Sequence, residues 1–71
     1  MIMKVEYVAT YETEADGPGG RRLIKTSVRR DTVDQLRQYF EGLRRREPNR
    51  LIQNQVVDKL TTTSERVDVV L

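Results

Sequence analysis

Residues 51–60 read Leu51-Ile52-Gln53-Asn54-Gln55-Val56-Val57-Asp58-Lys59-Leu60, and the state of this stretch decides the fold. As a helix it would be short, capped by Asn49, with Leu51, Ile52, Val56, Val57 and Leu60 as its apolar side. Strict strand alternation fits less well, because Asn54 and Asp58 would share a face with Ile52 and Val56. Against the helix stand two adjacent valines and the run Thr61-Thr62-Thr63, all of them β-favouring. We read the stretch as a strand. The chain is then ββαββ, an α+β fold with an antiparallel sheet and one main helix packed on one face, and ββααβ is the alternative.

Upstream, the helical signal is clear. Val33, Leu36, Phe40 and Leu43 recur at helical spacing with Tyr39 flanking them, which predicts an amphipathic helix of about four turns. Thr32 and Gln35 fit a capping box, and Asp31 and Asp34 put negative charge at the positive end of the dipole. Arg44, Arg45 and Arg46 crowd the negative end, and Pro48 disfavours helix at Glu47. Gly42 costs about 1 kcal/mol relative to alanine inside a helix, so a close backbone approach is expected there.

Two strands precede that helix. Over Lys4–Glu14, the residues Met3, Val5, Tyr7, Ala9 and Tyr11 share one face. Lys4, Glu6, Thr10 and Glu12 share the other, with Val8 as the exception. Ala15-Asp16-Gly17-Pro18-Gly19-Gly20 is hairpin-loop chemistry. A phosphate-binding reading of these glycines needs a helix directly behind them, and a strand comes instead. Arg21–Arg30 is the second strand, with Ile24, Thr26 and Val28 on one face and Lys25, Ser27 and Arg29 on the other. At the far end, Arg66–Leu71 reads as a strand with Val67, Val69 and Leu71 on one face.

Seventy-one residues make one domain, 1–71, with a thin core. Without cysteine or histidine, disulfides and thiolate or imidazole zinc sites cannot reinforce it. Monomer and homodimer are both left open. No apolar run is long enough to span a bilayer and no signal-peptide pattern opens the chain, so the expected location is the cytoplasm. Thirteen basic residues, ten of them arginine, face eleven acidic ones for a net charge of +2. Charges that nearly cancel read first as a solvated, mixed surface.

The residue inventory argues against catalysis. The usual general base and the strongest thiol nucleophile are missing. The carboxylates occupy polar positions where burial could not tune their pKa values apart. Asp34, Glu41 and Glu47 lie about one helical turn from Arg37, Arg44 and Arg45, the spacing of solvated ion pairs. No enzyme and no cofactor is expected. The expected role is binding, through a patch on the outward side of the helix: Arg37, Tyr39, Glu41, Arg44 and Arg45, rich in the residue types that dominate interfaces. The open sheet face or the edge at Arg66–Leu71 is the alternative surface.

Two resemblances rank the partners. From Arg21 to Leu60 the order strand, helix, turn, helix resembles the ribbon-helix-helix repressors. That likeness implies a DNA-binding dimer in which Lys25, Ser27 and Arg29 read bases and Asn49 caps a second helix against a phosphate. Val33, Leu36, Phe40, Ile52, Val56 and Leu60 would form its dimer core. Residues 31–43, with Asp31, Gln35-Leu36, the aromatic pair Tyr39-Phe40 and Gly42-Leu43, resemble the first helix of small phage anti-CRISPR inhibitors of type I surveillance complexes. That likeness covers 13 of 71 residues and implies a small phage-type protein that binds and blocks a protein or nucleoprotein complex. The second reading is placed first, with direct nucleic-acid binding behind it and no membrane partner.

Overall fold

The computed structural model describes residues 4–71; Met3, expected on the apolar face of the first strand, lies outside the described residues. The elements are β1 (Glu6–Gly17), β2 (Gly20–Arg30), α1 (Val33–Arg46), β3 (Gln53–Leu60) and β4 (Ser64–Val67). They form one antiparallel sheet in the order β2-β1-β3-β4, so β1 and β3 are central. The order ββαββ is thus the observed one, and the second helix of the alternative is absent among the described residues.

A bulge in β3 explains why its sequence is hard to read. From Glu6↔Leu60 to Thr10↔Val56 the two strands pair in one register, and at Glu12↔Gln53 the register has slipped by a residue. Asn54 takes the extra position with φ +54, a left-handed conformation that asparagine tolerates better than most residues. Its side-chain amide donates to Glu12 Oε1, as does the Gln53 amide at 3.3 Å. Beyond the bulge Val57, opposite Ala9, faces the core, while Val56 shares the other face with Val8, Asp58 and Leu60. Ile52, before the bulge, still packs against the core.

The core is small: Ala9, Tyr11, Leu36, Phe40, Leu43 and Val57, joined by Thr13. Phe40 is its centre, meeting Tyr11 edge-on at 5.0 Å and Tyr39 at 5.2 Å between ring centroids. The helix begins as its sequence predicts. Thr32 Oγ1 accepts from the Gln35 N–H at 3.1 Å, and Gln35 Oε1 accepts from the Thr32 and Asp31 N–H groups at 3.3 and 3.0 Å.

Three local expectations need correction. The hairpin loop is shorter than 15–20: β1 runs to Gly17 and β2 starts at Gly20, whose φ of +103 makes the tight turn. The final strand stops at Val67 rather than Leu71. A Val69 N–H bond to the Val67 carbonyl at 3.1 Å kinks the chain there, and Val69 and Leu71 pack against the core as irregular backbone. Gly42 mediates no close backbone approach, because a Cβ there would meet only the Arg46 guanidinium, at 3.6 Å.

Candidate binding surfaces

Helical geometry divides the expected patch. Arg37, Glu41 and Arg44 succeed one another by four and three positions, which sets them in a row along one flank. Arg37 Nε donates to the Val70 carbonyl at 3.4 Å and its Nη1 to Asp34 at 3.1 Å. Arg44 Nη2 donates to Gln55 Oε1 at 3.4 Å, and its guanidinium stands 6.0 Å from the Phe40 ring centroid. This flank therefore faces β3 and the C-terminal segment. Arg45 is exposed on the outermost side of the helix.

Tyr39 stands on the opposite flank, beside β2. Its hydroxyl meets that of Tyr11 at 3.2 Å, and the Arg30 guanidinium lies 5.3 Å from its ring centroid. Half-buried and held on three sides, it belongs to the rim of the core. Burial, then the bond to Tyr39, pushes the Tyr11 hydroxyl up to about 12. The structure thus brings Arg37, Glu41, Arg44 and Arg45 together and separates Tyr39 from them.

Expected ion pairs are only partly present. Asp34 pairs with Arg37, whereas Glu47 pairs with Arg50 at 2.7 Å instead of with the helix arginines. Arg50 was not singled out by its sequence context, yet it ties the α1–β3 connection to the hairpin. Its Nη1 donates to Thr13 Oγ1 at 3.3 Å and to the Glu14 carbonyl at 3.4 Å. The bond from Arg50 holds the Glu47 carboxyl below its ordinary range, and Arg50 is raised in turn. Beside this pair opens a shallow cleft of about 520 Å³ between the hairpin and the connection, lined by Glu14, Asp16, Arg21, Ile24, Asn49 and Leu51 among others. Among the described residues no group of three acidic side chains is arranged to hold a metal ion.

The face of the sheet away from α1 carries charge on a half-buried apolar seam of Val8, Val56 and Leu60. Glu6 bridges Lys4 at 2.9 Å and Arg29 at 3.3 Å, and Asp58 pairs with Arg66 at 2.9 Å. The Lys4 bond, ahead of the other causes, lowers the Glu6 pKa and raises that of Lys4. No helix is long and apolar enough to cross a membrane among the described residues. Compared with known proteins, the chain matches no protein-family model, no curated protein and no solved structure.

Proposed function

We propose that the protein is a non-enzymatic binding module that docks on a protein or nucleoprotein partner and blocks it, using the flank Arg37, Glu41, Arg44 and Arg45. The observation that carries this reading is the way two of those guanidinium groups are held. Arg37 and Arg44 are each tethered to the body by a bond, to the Val70 carbonyl and the Gln55 side chain. A guanidinium has five N–H donors, so even with Arg37 also paired to Asp34 each has donors beyond its internal bonds for a carboxylate or phosphate. Tethering lowers the ordering cost that long side chains bring to an interface. Leu36, Phe40 and Leu43 lock the other side of the helix, so the flank is presented on a rigid support.

The likeness of the sequence at 31–43 to the first helix of the anti-CRISPR inhibitors makes a type I surveillance complex the first partner to try. In the ribbon-helix-helix likeness, β3 stands where a second helix is needed, which leaves that reading to β2 and α1 alone. The test is capture of a purified type I surveillance complex, and of partners from host lysate, by wild type, Arg37→Ala/Arg44→Ala and Tyr39→Phe, each first checked for folding. The reading expects loss in the double variant and retention in Tyr39→Phe. Retention by both variants rules out the flank, and no capture by wild type at several hundred nanomolar rules out a blocking role. Sequence-selective nanomolar binding to duplex DNA with a steep salt dependence would support a repressor instead.

A further inference from the structure

The sheet has two edges, and they differ. β4 is four residues long, a short form by which sheets protect an edge. β2 is eleven residues long and mostly exposed, paired with β1 on one side and with no strand on the other among the described residues. Its unpaired backbone N–H and C=O groups form a template for a further strand. The strand also carries Arg21, Arg22, Lys25, Arg29 and Arg30 and no acidic residue. We propose that the outer edge of β2 is a docking site for an extended acidic segment of another protein, which joins the sheet as a fifth strand.

The molecule itself shows what sits well against β2. β1 carries Glu6, Glu12, Glu14 and Asp16 and no basic residue. It sets Asp16 opposite Arg21 and Glu12 opposite Lys25. Arg21 reaches Glu14 at 3.7 Å and Asp16 at 3.6 Å, and Arg29 reaches Glu6 at 3.3 Å. These arginine side chains remain 76% and 63% exposed, so a second carboxylate can approach from the outer side. Leu23 and Ile24, neighbours in mid-strand, are 49% and 37% exposed on opposite faces and offer apolar contact on either side of an incoming strand.

Two other occupants fit less well. A second copy pairing antiparallel through the full strand is centred on Lys25, which sets Arg21 against Arg29 and Lys25 against itself. Shifting the centre by half a residue one way sets Arg21 against Arg30 and Arg22 against Arg29. The other way sets Arg21 against Val28 and Arg22 against Ser27, which avoids like charges but leaves Arg30 outside the paired stretch. Like charges directly opposite destabilise strand pairs. A phosphate chain along the edge offers no amide groups to complete the ladder. The edge differs from the helix flank described above, and this inference does not depend on that reading.

The probe is a fluorescently labelled peptide of about ten residues alternating glutamate and valine, with blocked ends, titrated into the intact protein. The glutamate peptide should bind at least about tenfold more tightly than its lysine counterpart. Methylating the backbone nitrogens of alternate residues gives two patterns, and only the one that blocks the edge facing β2 should abolish binding. Lys25→Glu should weaken binding about threefold or more with an unchanged circular dichroism spectrum. Equal binding of both methylated patterns would mean mere charge attraction and overturns the proposal. No binding at millimolar concentration also overturns it, as does preference for a ten-nucleotide oligothymidylate. A dimer by sedimentation that the glutamate peptide leaves intact identifies the second copy as occupant and overturns the proposal.

Discussion

Replacing Phe40 should come close to unfolding the protein. The ring is fully buried and meets Tyr11 and Tyr39 edge-on at 5.0 and 5.2 Å. Phe40→Ala removes that burial and leaves a cavity, at a cost of about 3–5 kcal/mol. A domain of 71 residues has a total stability of roughly 4–10 kcal/mol, so the loss is comparable to the whole. Phe40→Leu separates the causes, because it keeps apolar burial and forfeits the two edge-to-face pairs, worth about 0.5–1.5 kcal/mol each. At about 4–8 °C of Tm per kcal/mol, the leucine variant should melt roughly 5–20 °C below wild type. The alanine variant should melt at least about 12 °C below wild type and, at the low end of that stability range, be unfolded at 25 °C. Arg44→Ala, which removes the exposed cation 6.0 Å from the ring centroid and its long bond to Gln55, should cost about 1 kcal/mol or less. Thermal melts followed by circular dichroism, with urea titrations to check two-state behaviour, read all three. A Phe40→Ala protein melting within about 5 °C of wild type would refute this account of the core.

Gly42→Ala should raise stability by about 1 kcal/mol, since the added Cβ meets only a flexible guanidinium and the helix loses its least favourable interior residue; an unchanged or lower urea midpoint would contradict this. Tyr11 should ionise near pH 12, later than an ordinary tyrosine at 10, in a spectroscopic titration of tyrosinate absorbance. Because its folded pKa is the higher one, the unfolded chain releases this proton first. The Tyr11 contribution to stability should therefore be constant below about pH 10 and fall between 10 and 12; Tyr39→Phe, which removes one of the two main causes, should bring the late titration to lower pH.

The helix was legible because its signals are local. Thr32 and Gln35 close their own capping box, and Leu36, Phe40 and Leu43 keep one period over the whole segment. β1 was legible for the same reason, with Tyr7, Ala9 and Tyr11 on one face. β3 was ambiguous because Asn54 takes a left-handed conformation and slips the register, so the apolar residues change face in mid-strand. No period of two survives that slip. The expected site failed in part for a geometric reason. Arg37 and Tyr39 are two positions apart in sequence but about 200° apart around a helix axis, so they face different strands.

The charges of the hairpin carry the last step. Read strand by strand, Glu6, Glu12, Glu14 and Asp16 are one solvated polar set, and the five basic residues of β2 are another. Pairing turns them into a complementary couple, held by Arg29–Glu6 and by Arg21 with Glu14 and Asp16. Exposed ion pairs of this kind contribute little stability each, so fold energetics alone give weak reason to sort every acid onto one strand and every base onto its neighbour. Sorting does have a consequence at the edge. A basic strand that has already paired with an acidic one on its inner side presents the same chemistry on its outer side, and strand order leaves this outer side open among the described residues. Like charge opposes a copy of itself there and opposite charge favours an acidic strand, so the same sorting that binds the hairpin together also selects what can be added to it.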